Sequence, residues 1–272
     1  MNSLLMVGLS SSLYVASLTG PNLLGFWLAT EAAGLVLLAG FFWQNTTTNR
    51  YLGLLTYLLA CGVSSALMYC GVFTPALGSL LYLGFLIKAG TVPFVGWVMS
   101  VYSNSPWLLL YVLAVISKAT FLYIPHIALS PTPLHQVAIL VTLPILICYL
   151  WGSVVGVKQY ISVSSVASAA ILAYLCFAGD LPRAETLYLV YLLVYSGLFA
   201  AFYKLDAARV SPGTTTASVF LFISIPSSLV FLYKIVSVWA VSGLSYHLLT
   251  LWVAYSIVEQ VYLLLYLLEK AN

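Results

Sequence analysis

The sequence predicts an all-α polytopic membrane protein with about ten transmembrane helices, arranged as two inverted five-helix repeats. Of its 272 residues, 63% are hydrophobic and 6% are charged, whereas soluble domains carry roughly 25% charged residues. Apolar runs of about 20 residues, each long enough to cross a hydrocarbon core of about 30 Å, follow one another. They cover 3–19, 22–43, 51–73, 76–101, 107–125, 134–152, 160–178, 184–203, 216–241 and 245–268. No basic residue precedes the first run and no cleavage site follows it, so we expect it to remain as a helix.

The fourth span combines a lysine and a proline, both unusual in a membrane helix. Lys88 at bilayer depth costs about 3 to 15 kcal/mol unless it faces a carboxylate, water or the bundle interior. Pro93 removes a backbone donor and clashes with the carbonyl of Ala89, and Gly90 weakens the same turn. A helix broken at this depth is tolerated where its backbone lines a cavity or is buried. We therefore expect a polar site beside this break.

The ninth span repeats this combination in reverse order, with Pro226 followed by Lys234. If the spans form two groups of five, the broken helix is the fourth of each group, and the second group crosses in the opposite sense. This pattern is typical of inverted repeats, whose sites lie at broken helices near the midplane. The sequence thus predicts one membrane domain with repeats at 1–125 and 126–272.

Three further charged residues lie deep within spans, away from their ends. Glu31, in the second span, is either a neutral buried acid or the counter-charge of a buried lysine, and we favour the counter-charge. Lys118, in the fifth span, either snorkels to an interface or faces a polar axis, and we favour the axis. Glu259, in the last span, either completes the polar row or pairs with a neighbouring subunit.

Other polar residues in the spans receive structural interpretations. Ser162, Ser164 and Ser165 open the seventh span, where they satisfy backbone groups or hold water. The cysteines have no CxxC spacing, and we expect them to be free and buried, with no metal or cluster. No nucleotide-binding or hydrolase motif is present, and the scattered basic residues do not indicate nucleic-acid binding. The cysteines are Cys61, Cys70, Cys148 and Cys176.

The basic residues predict how the chain is oriented, because lysine and arginine in short loops favour the cytoplasmic or matrix side. Counting the spans places one group on the side of both termini and leaves Arg183 on the other. We therefore expect both termini on the cytoplasmic or matrix side. The group consists of Arg50, Lys158, Lys204, Arg209 and Lys270.

Five motifs resemble, in order and spacing, those of the antiporter-like membrane subunits of respiratory complex I, a family shared with multisubunit cation/proton antiporters. The resemblance extends from residue 22 to about residue 240. KAGTVPFVGW at 88–97 is similar to the family's K-x-G-x-x-P-F-H-x-W, and AVISKATF at 114–121 to its V-S-K-A-x-x-F. The other three are TEAAGL around Glu31, VKQYISVSSV at 157–166, and SIPSSLVFLYK, which ends at Lys234.

This resemblance implies a proton-translocating role for Glu31, Lys88, Lys118 and Lys234. Two features are similar to those of the subunit 2 branch of the family: the lysine at position 234 and the short length of the chain. The resemblance further implies a mitochondrial inner-membrane location with matrix termini, and partners of the subunit 4L and 4 type together with lipids. It places no cofactor in this chain, and FMN, iron–sulfur clusters and ubiquinone in partner subunits.

The sequence also departs from the family pattern. Val95 replaces the histidine after Pro-Phe, Ser100 stands where an acidic residue is usual, and Ala167-Ser168 replaces another histidine. Ser227 and Val230 replace a proline and a glycine at the second break. These changes affect the proton-entry branches, so two alternatives stay open: a subunit of an Mrp-type cation/proton antiporter, and a structural subunit that no longer pumps.

Overall fold

The computed structural model describes residues 2–20, 22–41, 50–74, 78–126, 133–152, 156–207, 226 and 228–271. These ranges contain helices and turns and no strand, which confirms the predicted all-α class. The elements are α1 (Asn2–Leu18), α2 (Leu23–Phe41), α3 (Arg50–Phe73), α4 (Gly78–Ala89), α5 (Val95–Asn104), α6 (Trp107–Ala114), a 3-10 segment (Ile116–His126), α7 (Pro133–Gly152), α8 (Val157–Phe177), α9 (Leu181–Ala207), α10 (Leu229–Ser242) and α11 (Tyr246–Ala271).

Each predicted span corresponds to one of these helices or to a consecutive pair of elements. Six helical stretches in the described ranges are long and apolar enough to cross a membrane, and shorter apolar helices supply the others. The fourth span is two helices, α4 and α5, separated by a break at 90–94. The fifth span was expected to be one helix, but it changes from α6 to the 3-10 segment at Val115. For the ninth span, residues 216–225 lie outside the described residues.

The order of neighbouring helices is similar in the two halves of the chain. In the first half, α1 packs on α2, α2 on α3, α3 on α4 and α5, and the 3-10 segment returns to α1. In the second half, α7 packs on α8, α8 on α9, α9 on α10, and α11 returns to α7. Two copies of a five-span unit would produce this order. The repeat boundary at 125/126 and the inversion stay predictions.

Helix α8 lies at the centre of the bundle. It packs against α5, the 3-10 segment, α7 and α9, and almost every residue from Ile161 to Phe177 is buried. Small residues dominate its middle, and they allow neighbouring helices to approach closely. The same helix carries four buried serines, so a polar strip runs through the middle of an apolar bundle: Ser162, Ser164, Ser165 and Ser168.

Contacts at the helix termini define the two ends of the bundle. The Lys158 ammonium donates a hydrogen bond to the Ser105 carbonyl at 2.8 Å, and Gly53 of α3 packs against Asn104. Arg183 lies beyond the opposite end of α8, where it pairs with the carboxylate of Asp180 at 3.3 Å. The beginning of α3 and Lys158 therefore share an end that Arg183 does not. Which membrane side this end faces stays a prediction, and Arg209 lies outside the described residues.

The cysteines correct one expectation. Cys176 is buried and Cys61 is partly exposed, but Cys70 and Cys148 are exposed. Both exposed thiols lie on helices that also expose apolar side chains, such as Leu55 and Leu59 of α3 and Val141 of α7. An outer face in lipid is as apolar as a core, so composition alone did not distinguish the two positions.

Candidate functional site

The break between α4 and α5 is a helix stop followed by a tight turn. Gly90 has a φ of +69°, a left-handed conformation that glycine adopts without steric cost. Its N–H donates to the Ile87 carbonyl at 3.0 Å, and the Thr91 N–H donates to the Leu86 carbonyl at 3.1 Å. This is the Schellman pattern of a helix C-terminus. The Trp97 indole N–H also donates to the Ile87 carbonyl, at 2.8 Å, so the carbonyls of Leu86 and Ile87 both have partners beyond the helix end.

The turn itself is held by a helix of the second half of the chain. The Val92 N–H donates to the hydroxyl of Thr142 in α7 at 3.1 Å. Pro93 follows in the turn, before α5 begins at Val95. The expected break at Pro93 is therefore present, but the helix ends earlier, at Ala89, because the left-handed Gly90 stops it.

Lys88 lies in the last turn of α4, where the helix dipole favours a cation. Its ammonium donates to the Glu31 carboxylate of α2 at 2.9 Å. The Lys88 and Glu31 side chains are 20% and 24% exposed, so the pair lies inside the bundle but is still partly accessible to solvent. The structure thus brings together the lysine and the carboxylate that the sequence proposed as partners.

The change from α-helix to the 3-10 segment leaves carbonyl groups without their usual partners, and hydroxyl groups take their place. The Tyr191 hydroxyl of α9 donates to the Ala114 carbonyl at 2.8 Å. The Ser117 hydroxyl donates to the Leu113 carbonyl at 2.7 Å. Buried backbone acceptors require such partners. The interruption is therefore supported by side chains, like the one after Lys88.

Lys118 lies in the 3-10 segment and is 3% exposed. Its ammonium donates to the Ser165 carbonyl at 2.7 Å and to the Tyr191 hydroxyl at 2.6 Å. It also lies 4.1 Å from the centre of the Tyr191 ring, a favourable position for a cation. In the described part of the chain no carboxylate lies within ion-pair distance of it. Lys118 therefore faces the bundle axis, as expected, and is held by neutral groups.

One cavity joins these groups. It has a volume of about 60 Å³ and is lined by Glu31, Lys88, Lys118 and Ser165, together with apolar and aromatic side chains. A polar, roomy cavity of this kind can hold water, which requires two to four polar partners. The first cavity, as we call it below, therefore contains the ion pair and the middle lysine in one space.

Lys234, at the far end of the row, belongs to a second ion pair. On α10, its ammonium forms an ion pair with the carboxylate of Glu259 on α11, and it donates to the Ser256 hydroxyl at 3.1 Å. The side chains are 12% and 4% exposed, so this pair is more buried than the first. The Tyr255 hydroxyl donates to the other Glu259 oxygen at 3.2 Å. Of the two readings of Glu259, the structure supports a place in the chain's own polar row.

A second cavity of about 20 Å³ lies beside this pair and is lined by Lys234, Glu259, Tyr160, Ser164 and Tyr195. Pro226 lies in a turn, and the hydroxyl of Ser228 caps α10 by accepting from the N–H of Phe231 at 3.1 Å. The helix expected before Pro226 falls outside the described residues. Within the described ranges, no three His, Cys, Asp or Glu side chains cluster as metal ligands would.

From the sequence, the serines of α8 were expected to have a structural role, and their position beside the two cavities was not predicted. Ser165 lines the first cavity and Ser164 the second. Ser168, where the family resemblance leads one to expect a histidine, accepts a hydrogen bond from Tyr233 at 3.0 Å. On α9, the Tyr195 hydroxyl lies 2.5 Å from that of Ser164, and the same helix carries Tyr188 and Tyr191. This spacing places them on one helix face, and that was the signal available in the sequence.

Comparison with known proteins shows which solved structures share the fold of this chain. Neither a protein-family model nor a curated protein sequence matches the chain. A chain in the structure of respiratory complex I from Thermus thermophilus with bound aureothin superimposes with a TM-score of 0.73 at 18% identity, over 99% of this chain and 68% of that one. A chain of the membrane-bound sulfane sulfur reductase, an archaeal respiratory membrane complex, gives 0.70 at 15% identity, over 89% and 61%. The chain is thus a multi-pass membrane protein with a fold found in respiratory membrane complexes.

Proposed function

We propose that this chain is a proton-translocating, antiporter-like subunit of the membrane arm of a respiratory complex. The observation that carries the proposal is the first cavity, in which the Lys88–Glu31 ion pair and Lys118 share one space inside the bundle. Ionisable residues at membrane depth are costly, and they occur mainly along ion pathways and proton relays. Two supported helix interruptions lie directly beside the two lysines, as in transporters whose sites lie at broken helices.

The three lysines have different roles in this proposal. Loss of a proton from Lys88 or Lys234 would leave a buried carboxylate without its cation, which is unfavourable. Lys118 is held by a carbonyl and a phenol, so it can release its proton without leaving an unpaired anion. Lys118 is therefore the proton carrier, and the two ion pairs hold balanced charge on either side of it.

Charge on Lys118 also acts on the neighbouring pair. Two ammonium groups in one low-dielectric cavity repel each other. Protonation of Lys118 therefore destabilises the Lys88 ammonium in its position in the cavity, and loss of that proton stabilises it again. The energy for this cycle is supplied by electron transfer in partner subunits, which carry FMN, iron–sulfur clusters and ubiquinone, and this chain contributes the membrane pathway.

At the finer level, we propose a subunit 2-type role in a proton-pumping NADH:ubiquinone oxidoreductase of the mitochondrial inner membrane, beside subunits of the 4L and 4 type. The motifs around Glu31, Lys88, Lys118 and Lys234 support this assignment. An Mrp-type antiporter subunit has the same membrane chemistry without redox partners. A structural subunit would have no need of its buried charges. Mass spectrometry of co-purified subunits separates the first two: flavin and iron–sulfur proteins support the respiratory assignment, and their absence beside antiporter subunits contradicts it.

The test of the pathway is Lys118→Met in the whole complex, reconstituted in vesicles with a pH-sensitive dye in the lumen. We expect proton uptake to be lost while the complex still assembles, because methionine keeps the aliphatic bulk and removes the charge. Lys158→Met is the matched control, since Lys158 donates to a carbonyl at the end of the bundle. Normal uptake with Lys118→Met would overturn the proposed function.

A further inference from the structure

The start of the 3-10 segment exchanges one hydrogen-bond partner for another. In an α-helix, the backbone N–H of Lys118 would donate to the carbonyl of Ala114, four residues before it. In a 3-10 helix it donates three residues back instead, to the carbonyl of Val115. The Ala114 carbonyl therefore loses its helical partner, and the Tyr191 hydroxyl of α9 donates to it at 2.8 Å. Tyr191 thus replaces the backbone N–H of Lys118 at this carbonyl.

The same tyrosine also binds the side chain of Lys118. The ammonium donates to the Tyr191 oxygen at 2.6 Å and lies 4.1 Å from the centre of the Tyr191 ring. A phenol has one hydrogen to donate and an oxygen that accepts. Because the hydrogen is used on Ala114, the oxygen is left to accept from Lys118. One side chain therefore contacts both the carbonyl that the 3-10 winding exposes and the charge that the segment carries.

Tyr191 is itself fixed in place by its neighbours. It is 2% exposed, and its ring stacks on that of Tyr195 with the centres 4.1 Å apart. The ring of Tyr233 meets it edge-on at 5.7 Å, and both neighbouring tyrosines are buried. Since close-packed rings leave the phenol little freedom, its hydroxyl is a fixed point against which the 3-10 segment is held.

We propose that Tyr191 is the positioning residue of Lys118, and that it makes the winding of the 3-10 segment and the charge on the lysine depend on each other. The inference rests on the proposed function and adds the residue that holds the proton carrier in place. An oxygen that accepts from an ammonium becomes a stronger donor, because hydrogen bonds in a chain polarise one another. A charged Lys118 therefore strengthens the bond from Tyr191 to Ala114 and keeps the segment in the 3-10 form.

Loss of the charge on Lys118 favours the other winding. A neutral amine polarises the Tyr191 hydroxyl less, so the bond to the Ala114 carbonyl weakens. The N–H of Lys118 can then take this carbonyl back, and α-helical hydrogen bonds have better geometry than those of a 3-10 helix. Tyr191 neither gains nor loses a proton in either form, because its one hydrogen stays on its own oxygen. It acts on proton transfer only through the position of the lysine.

The first test is Tyr191→Phe in the whole complex, which keeps the stacked ring and removes the hydroxyl. We expect proton uptake into vesicles to fall about tenfold, since a misplacement of about 1 Å can cost about a hundredfold. A cryo-EM structure of this variant should show the N–H of Lys118 donating to the Ala114 carbonyl, at about 2.9 Å.

Tyr111→Phe is the matched control. The Tyr111 hydroxyl also joins the fifth span to α9, but its partner is the Ser196 hydroxyl, at 2.8 Å. This variant therefore loses a hydroxyl contact between the same two parts of the bundle without changing the surroundings of Lys118. We expect it to keep the wild-type uptake rate and the 3-10 winding.

A second measurement is the cryo-EM structure of Lys118→Met, which removes the charge and leaves Tyr191 intact. If winding and charge depend on each other, the backbone N–H at position 118 should donate to the Ala114 carbonyl in this variant too. A tyrosine that only fills space would leave the segment unchanged here. This structure therefore reports a property that a purely structural role of Tyr191 does not alter.

The outcomes distinguish the positioning role from the function it serves. If Lys118→Met abolishes uptake but both variants keep the 3-10 winding, the positioning role is wrong and the proposed function stands. Wild-type uptake in Tyr191→Phe would also overturn the role, as would an equal loss of uptake in Tyr111→Phe. If Lys118→Met itself takes up protons normally, the proposed function fails first. Should Tyr191→Phe not assemble, the structure of Lys118→Met decides.

Discussion

Charge coupling between Lys88 and Glu31 can be measured with a double-mutant cycle. The substitutions are Lys88→Met, Glu31→Gln and both together. At 2.9 Å between Nζ and Oε1, the attraction is about 6 kcal/mol at an effective dielectric constant of about 20. Because the side chains stay 20% and 24% exposed, water offsets part of it. We expect each single substitution to lower the free energy of unfolding by about 3 kcal/mol, the lower end for breaking a buried pair.

The double substitution removes both charges, so it should cost no more than either single one, which gives a coupling energy of about 3 kcal/mol. The assay is reversible unfolding of the purified chain in mixed micelles, followed by tryptophan fluorescence. Coupling should persist at high salt, because the pair lies inside the bundle, where ions screen weakly. If the two single effects simply add in the double variant, the pair is not a coupled ion pair and the charge argument for the first cavity fails.

The remaining predictions concern the second pair, the helix stop and the topology. Glu259→Gln should destabilise the chain by about 4 kcal/mol, more than either single change in the first pair, because Glu259 is only 4% exposed; unchanged unfolding would mean that its lysine partner is not charged. Gly90→Ala should cost at least about 1 to 2 kcal/mol, because φ is +69° there, whereas Gly96→Ala, with open space around it, should stabilise by up to about 1 kcal/mol; equal effects would contradict the left-handed stop. Single cysteines introduced beside Arg50 and Arg183 should react with an impermeant thiol reagent from opposite membrane sides, and labelling from one side would show a miscounted span.

The fold was predictable because the membrane restricts the possibilities. Twenty apolar residues without strong charge form a helix there, since every backbone group must be satisfied internally. The same constraint made Lys88 conspicuous and identified Glu31 as its partner, the one acidic residue in the first five spans. The break beside Lys88 was located to within a few residues from Gly90 and Pro93.

The parts that were missed have no comparable signal in composition. The 3-10 segment contains no glycine, and its only proline, Pro125, lies near its end, so its start depends on hydroxyl groups supplied by other helices. Glu259 is 25 residues from Lys234 along the chain, and only the packing of α10 on α11 decides that they meet. The serines of α8 were predicted to satisfy backbone groups, because the sequence does not show which side chains of other helices lie opposite them.

The winding of the segment that carries Lys118 has a mechanical consequence. A 3-10 helix turns about 120° and rises about 2.0 Å per residue, whereas an α-helix turns about 100° and rises about 1.5 Å. Rewinding Ile116, Ser117 and Lys118 into α-helix would therefore swing the lysine by about 60° around the axis and shorten the segment by about 1.5 Å. The direction in which this ammonium points is thus set by the pitch of one turn, and reorienting it requires no displacement of a whole helix.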